Sequence, residues 1–486
     1  MMAYRLPFTK LLHHPTKNLL ILVFGSHFHA LDTSTGALIS TTRSLVSSSN
    51  NDSIDNNNTT VVNNTETDNS SSNSIHPKYI IPSTDAHLAT IRTLAFYDRV
   101  YFNTSSSSIS STLLATSDEN KILKIWNCDE WKLRNTRPVQ KRVVSIAFNK
   151  DGSQIVIADK FGDVYSHPLD PPEDKQNAST LLLGHVSMVT DMVITPNNKY
   201  VITCDRDEHI RVSRFPKGYN IESYCLGHKQ FVSKIHILPW ANDLLISAGG
   251  DDFIALWDYV PGKLLQTLNI KEIIETKETY NDEEETYVDS EDSNSIVITS
   301  ITSSPISKHI ALTIEKFPGI VILDWNETEK QIQYLQTLNL SIDPLDLAYD
   351  IDGNLWVSNY VKEEQSNESL ITVFKKNDNE YEKVPEDHSL VKQINEYGST
   401  TGKFSPQMIL YLIAFNFNTL SFTKNKVEII PDLYITSQLR KNLVDWREQD
   451  DDDDDAQSLE GEGNNNTSKQ KKSQGSKRNK KRVKIE

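Results

Sequence analysis

Cysteine is scarce in this sequence, and the scarcity closes several routes. Only Cys128, Cys204 and Cys225 occur in 486 residues, and no two form a C-x-x-C pair. That argues against a disulfide framework or a thiolate metal site and makes a reducing compartment the expected one. Long apolar runs are missing too. The longest, 19–24 and 408–415, fall far short of the roughly 20 residues a membrane helix needs. No small-residue cleavage site follows an apolar stretch near the N-terminus, so a soluble intracellular protein is expected. Glycine-rich phosphate loops are also lacking. There is no G-x-G-x-x-G and no P-loop, and the lone G-x-G, at Gly461 and Gly463, sits in an acidic tail. A nucleotide-cofactor core has nowhere to form, so neither a cofactor nor catalysis by this chain alone is expected. Positive charge is in deficit: 50 Lys and Arg against 66 Asp and Glu give a net charge of −16. The average field therefore repels phosphate, which argues against the chain as a major nucleic-acid platform by itself and leaves room only for local basic patches. Hydrophobic content of 37% is low for a folded chain and fits polar insertions diluting a core.

What is present is a repeat. Over 182–258 a Gly-His pair, a tight acidic turn and a short apolar strand occur twice. The first copy opens at Gly184-His185 and turns at Asp205-Arg206-Asp207-Glu208-His209. The second opens at Gly227-His228, turns at Gly249-Gly250-Asp251-Asp252 and ends in Leu256-Trp257-Asp258. The openings lie 43 positions apart, within the period of about 40–45 residues for one propeller blade. Seven such blades need about 300 residues, leaving the remainder for insertions and tails.

The cadence of three short strands extends through the chain. Two strands are expected within 18–32. Others fall at 91–96, 113–116 and 122–126, then at 143–148, 155–158 and 163–165. The pattern resumes at 296–301, 310–314 and 320–325, and again at 345–349, 355–358 and 370–374. Residues 408–415 suit a buried strand of the last blade. The expected organisation is an all-β, seven-bladed β-propeller over 1–440, carrying a disordered Asn/Ser-rich insertion at 44–77 and an acidic loop at 275–294. A disordered tail, acidic then basic, follows at 441–486.

Aligning the blades on their third strand places Asn120, Asp159, Asp207 and Asp251 at one turn position. Trp126, Tyr165, Ser213 and Trp257 fall six residues later. The blades resemble WD repeats, in which the turn aspartate bonds the Gly-His histidine and a Ser or Thr links that histidine to the tryptophan. One copy has the full set, His228, Ser247, Asp251 and Trp257. The other has His185, Thr203 and Asp207, with Ser213 in place of the tryptophan. The same residue types make a Ser-His-Asp catalytic triad, but a set recurring at blade spacing reads as scaffold, because a nucleophile is needed once. No catalytic residue is expected. His27-Phe28-His29 puts two imidazoles on one strand face, yet no third ligand lies nearby, so no metal is expected either.

Five stretches are more distinctive than a generic blade: 158–165, 183–191, 205–213, 226–233 and 247–252. Together they closely resemble the non-catalytic WD-repeat subunit of tRNA (guanine-N(7)-)-methyltransferase. Residues 433–441, with Ser437, Leu439, Arg440 and Lys441, are similar to that family's C-terminal segment. The resemblance implies a propeller that forms a heterodimer with a separate catalytic subunit, which binds S-adenosylmethionine and methylates a guanine in the tRNA variable loop. It implies that the platform stabilises the partner's active conformation by binding it preferentially. Contact with tRNA would come mainly through the complex, without a membrane. Partner contact is implied near the strand that carries Arg211. Ile210 and Val212 should point to one side and Arg211 to the other, so its charge can leave the blade and bond a partner carboxylate. A merely solvated charge is the alternative. Lys160, Arg206 and Lys229 are second-tier partner contacts, Arg206 with an internal acidic turn as its competing partner.

The basic run 477–484 reads as a nuclear localisation signal or a loose RNA-binding arm, against a merely solvated charge run. The expected location is the nucleus, with the cytoplasm second. Two other functions stay open: a scaffold of another complex, such as a ubiquitin-ligase substrate receptor, and a propeller hydrolase. The hydrolase would need a metal or nucleophile cluster around the channel.

Overall fold

A computed structural model describes residues 7–43, 77–100, 111–172, 178–278, 295–361, 368–378, 380–397, 421–423, 426–428 and 436–441. Among the described residues the chain forms seven four- or five-stranded sheets in sequence order, and a separate two-stranded pair, Ser421–Thr423 with Lys426–Glu428. Blade 1 comprises strands within 10–41 and a short addition at 79–80. Blades 2 to 7 span 91–138, 143–184, 189–225, 232–269, 298–339 and 344–383. The first strands of successive blades pack beside one another around a ring, and the first strand of blade 7 (Pro344–Tyr349) returns to that of blade 1 (Lys10–His13). This is the expected seven-bladed propeller.

Burial explains why its inner strands are legible. A blade is sandwiched between two neighbours, so Leu19–Phe24 and Leu113–Asp118 are buried at every position. They read as continuous apolar runs and not as alternation. The outermost strand of each blade meets solvent and is mixed in character, as in Lys132–Pro138. Those fourth strands were not anticipated from sequence. Between blades the apolar side chains merge into cores. One joins blades 5 and 6 through Leu238, Ile246, Leu256, Ile298, Leu312 and Leu323, each such side chain contributing about 1.5–3 kcal/mol on burial.

Two helices accompany the sheets among the described residues. The first, α1 (Ile270–Glu278), takes up the opening residues of the expected acidic loop, a correction to its start. The rest of that loop, residues 279–294, lies outside the described residues. So do 44–76 of the Asn/Ser insertion and the strand expected at 408–415. The flanks of the insertion are ordered: Leu38–Thr41 and Tyr79–Ile80 pair in parallel, so the chain returns beside the strand it left. By its contacts the chain divides into Met1–Arg440 and Lys441–Glu486, and of the second unit only Lys441 is described.

Among the described residues, ring closure uses no strand shared between the chain's two ends: the described strands of blade 1 come from 10–80 and those of blade 7 from 344–383. The seam is held from two sides. Inside, the Asp346 carboxylate accepts the Leu11 N–H at 3.0 Å and the Ser300 hydroxyl at 2.9 Å, with Lys10 Nζ at 3.6 Å. Outside, α2 (Ser389–Tyr397) inserts Val391, Ile394 and Tyr397 into a core shared with Phe8, Leu20 and Trp356. Tyr397 also donates to the Gly36 carbonyl at 3.2 Å.

The same inner arrangement occurs half a turn away. Asp191 of blade 4 accepts the Ser145 hydroxyl of blade 3 at 3.1 Å and the Ile235 N–H of blade 5 at 3.3 Å, with Lys234 Nζ at 3.8 Å. Asp191 raises the Lys234 ammonium above its ordinary value. Ser145, Asp191, Lys234, Ser300 and Asp346 all follow a β-bulge in their first strand. The bulge re-aims the side chain towards the neighbouring blade.

We predict that Asp346→Ala lowers the stability of the full chain by about 1–3 kcal/mol, because it strands a buried N–H and a buried hydroxyl. Lys10→Ala should cost less than about 1 kcal/mol, since that ammonium is partly solvated. Urea denaturation checks both, and an Asp346→Ala chain as stable as the parent would refute the clamp.

Candidate functional site

The Gly-His histidines lie at one end of the blades, and each sits in a closed hydrogen-bond chain. In blade 5, His228 Nδ1 is 2.8 Å from Asp251 and Nε2 is 2.6 Å from Ser247 Oγ, which accepts the Trp257 indole N–H at 2.8 Å. A neutral imidazole protonated on Nδ1 satisfies every member: indole N–H to hydroxyl, hydroxyl to Nε2, Nδ1–H to carboxylate. Blade 2 holds an unanticipated third set, His87, Thr116, Asp118 and Trp126, at 2.7–2.9 Å. Burial pushes His87 below its ordinary value, against the opposing pull of Asp118, which suits the neutral form. Thr116, Thr203 and Ser247 are fully buried. Their hydroxyls cannot reach a substrate, so the triad reading fails on access.

Blade 4 corrects the alignment. His185 Nδ1 meets Asp205 at 2.9 Å, not Asp207, and Nε2 meets Thr203 at 2.7 Å. Asp205 Oδ1 also accepts the N–H groups of Asp207 and His209 at 2.9 and 3.0 Å, which shapes the turn. Burial works to raise the Asp205 carboxyl, but bonds from His185 and the His209 N–H outweigh it and hold it below its ordinary value. The reason for the switch is local. Asp205 lies two residues after Thr203 on the same strand face, as Asp118 does after Thr116. In blade 5 that position is Gly249, where a Cβ would collide with the Phe231 carbonyl oxygen. The acid comes instead from Asp251, in the turn itself.

Arg211 requires a second correction. It does alternate with Ile210 and Val212, but the side it faces is not solvent: the residue is 9% exposed. Its guanidinium donates to Ser213 Oγ at 2.8 Å, the Gly184 carbonyl at 3.1 Å and the Gly218 carbonyl at 3.0 Å. The blades on either side cover the two faces of this one. Arg211 faces Thr203 across the sheet as Lys124 faces Thr116. Lys124 likewise donates to the carbonyl preceding its histidine, Ala86, at 3.1 Å. Ser213 leaves the indole position empty of aromatic bulk, and the guanidinium occupies that side of the blade.

The other cations gather on one face, formed by the turns between second and third strands and the links between blades. Lys160 lies in the turn of blade 3, Arg206 in that of blade 4, and Lys229 in the link to blade 5. Beside them Phe161, Val186 and Leu226 stand exposed at 64%, 107% and 62%. Lys141 lies 4.7 Å over the Phe161 ring. A cleft of about 380 Å³ opens beside Val186 and Leu226, lined also by Asp207, His209, Arg211 and Tyr224. Arg206 is engaged internally, by a different partner from the expected acidic turn: it donates to the carbonyls of Leu439 and Arg440 at 2.7 and 3.1 Å. No group of three or more potential metal ligands occurs among the described residues, and His29 reaches Thr41 at 2.9 Å.

A propeller whose blades repeat this His, Ser/Thr, Asp and Trp set is a WD-repeat protein. Residues 20–180 and 171–380 match the family described as the tRNA methyltransferase TRM82 WD40 domain, and the chain belongs to that family. A relative from Danio rerio, named tRNA (guanine-N(7)-)-methyltransferase non-catalytic subunit wdr4, is 35% identical over 254 residues, 51% of this chain and 57% of its own length. This chain thus spans little over half of that relative. The non-catalytic subunit TRM82 of Vanderwaltozyma polyspora is 30% identical over 316 residues, covering 56% of this chain and 69% of the relative. The corresponding Xenopus laevis subunit is 30% identical over 342 residues, covering 69% and 80%. Among solved structures, the RRP9 WD40 repeats superpose with a TM-score of 0.51 at 15% identity, over 74% of this chain and 89% of that one, which is a likeness of fold.

The corrected network makes a discriminating prediction. Asp205→Ala should destabilise the full chain by about 1–3 kcal/mol, as it orphans His185 and two turn N–H groups. Asp207→Ala, which leaves the His185 carboxylate bond in place, should cost less than Asp205→Ala. Denaturation curves showing the reverse order would restore the original alignment.

Proposed function

We propose that this chain is the non-catalytic subunit of a tRNA (guanine-N(7)-)-methyltransferase. It acts as a rigid platform that holds a separate S-adenosylmethionine-dependent catalytic subunit in a heterodimer and stabilises its active conformation. The observation that carries this reading is the exposed apolar trio Phe161, Val186 and Leu226 on the face of the second-to-third-strand turns and inter-blade links, with Val186 and Leu226 lining a cleft at blades 3 and 4. Apolar side chains grouped on a loop face and rimmed by polar ones suit a protein partner. The names of the relatives supply the partner's identity. In this reading tRNA is engaged mainly through the complex, since the chain's net charge of −16 opposes independent binding. Preferential binding of one partner conformation shifts its population without chemistry from the platform.

Reconstitution tests it: tRNA 7-methylguanosine formation by the catalytic subunit should rise on adding this chain, and no rise would reject the platform role. Val186→Glu should weaken capture of the partner by at least about tenfold, since it places a charge in the apolar patch, while leaving the melting temperature unchanged. Arg211→Glu should act differently, lowering stability as well as capture, because its three acceptors lie inside the protein. If Val186→Glu captured the partner normally, the docking face would lie elsewhere.

Nuclear localisation belongs to the same proposal and is supported by the basic run 477–484, which lies outside the described residues. Deleting 477–486 should move the protein out of the nucleus in imaging, and an unchanged distribution would reject the signal.

A further inference from the structure

The short segment before the tail lies in a groove that nothing in the platform reading uses. Residues Thr436–Leu439 form one 3-10 turn, followed by Arg440. The Ser437 N–H and hydroxyl donate to the two oxygens of Glu315, at 2.8 and 2.7 Å. The Arg440 guanidinium donates to the carbonyls of Gly250 at 2.9 Å, Ile296 at 3.1 Å and Ser295 at 3.4 Å. It also lies 6.0 Å over the Phe231 ring. From the other side Arg206 binds the segment's last two carbonyls.

These anchors come from three blades. Arg206 lies in the inner turn of blade 4, Gly250 in that of blade 5 and Glu315 in that of blade 6, while Ser295 and Ile296 lead into blade 6. A carboxylate, a guanidinium and converging carbonyls receive a Ser-x-Leu-Arg peptide. Charge-assisted bonds of this kind are the stronger class. The arginine also has the planar fork that several carbonyls can share.

The location matters as much as the fit. Arg206 sits between Asp205 and Asp207, and both of these line the cleft beside Val186. The segment therefore grips the turn on which the docking face stands. We propose that residues 436–440 are a strap whose seating in this groove pre-organises the docking face, so that the catalytic subunit binds tightly only when the strap is in place. This rests on the platform reading. Its physical basis is that ordering a loop before association removes that cost from binding. Tethering keeps the strap at high effective concentration, so short-range bonds suffice to hold it.

The test uses the full chain throughout. Arg440→Ala, or Glu315→Ala, should weaken capture of the catalytic subunit by at least about tenfold, the scale of losing a charged hydrogen bond. Hydrogen exchange at 205–209 should rise while the rest of the propeller stays protected. Gln438→Ala, at an exposed strap position, should change neither. A synthetic peptide of residues 433–443 added to the Arg440→Ala chain should restore capture, and the same peptide carrying the Arg440→Ala change should not. Parent-like capture by Arg440→Ala, or peptide rescue that does not depend on the arginine, overturns the strap. Failure of the unaltered chain to bind the catalytic subunit instead overturns the platform reading, and the exchange at 205–209 still reports whether the strap grips its turn.

Discussion

A propeller stands or falls on closing its ring, because no blade can bury both its faces until it has a neighbour on each side. Among the described residues the first and last blades are separate sheets, with no backbone ladder from a shared strand across the seam. Asp346 takes over part of that work by accepting a backbone N–H from blade 1 and a hydroxyl from blade 6. Helix α2 covers the outside of the same seam with apolar side chains and a tyrosine. The Asp191 clamp shows that the inner device is general: serine before, aspartate between, lysine after, on three consecutive blades, twice around the ring. Each carboxylate is surrounded by donors, which is the condition for burying it at tolerable cost.

At the turn end the same problem has a second solution. Four polar side chains with complementary donors and acceptors consume one another's hydrogen bonds, and the blade keeps its turn without water. The acid in this chain can come from the strand or from the turn. Asp118 and Asp205 come from the end of the second strand, whereas Asp251 comes from the turn that follows, because Gly249 must stay without a side chain. The conserved quantity across these three blades is the geometry around the imidazole, and the sequence position that supplies the carboxylate varies.

That distinction marks what was legible in the sequence. The inner three strands were readable because double burial makes them continuous apolar runs, and the 43-residue spacing of Gly184 and Gly227 set the blade period. Fourth strands were not, since an edge such as Lys132–Pro138 mixes exposed Lys and Arg with buried positions as a surface loop does. Counting back from the tryptophan position selected Asp207, and only the alternation from Thr203 could have pointed to Asp205. The inner clamps carry no local signature, because Ser300, Asp346 and Leu11 are far apart in the chain and meet only when the ring closes. Arg211 was misjudged for a related reason: period-two alternation separates two faces, but a blade between neighbours has no solvent face to offer.

Under the proposed platform role, the fate of the arginines also constrains how a partner would be recognised. Arg211 and Arg206, two of the four cations considered as partner contacts, both donate to carbonyls of this chain. Outward on that face stand the apolar Phe161, Val186 and Leu226, together with Lys229. Apolar contact is weakly directional, so specificity must come from shape, and shape requires loops that do not move when the partner arrives. Internal arginines supply that rigidity, since each guanidinium ties segments distant in sequence: Gly184 and Gly218 for Arg211, the C-terminal segment for Arg206. The positive charge on this face thus acts first on the loops themselves, and through their fixed positions on whatever binds them.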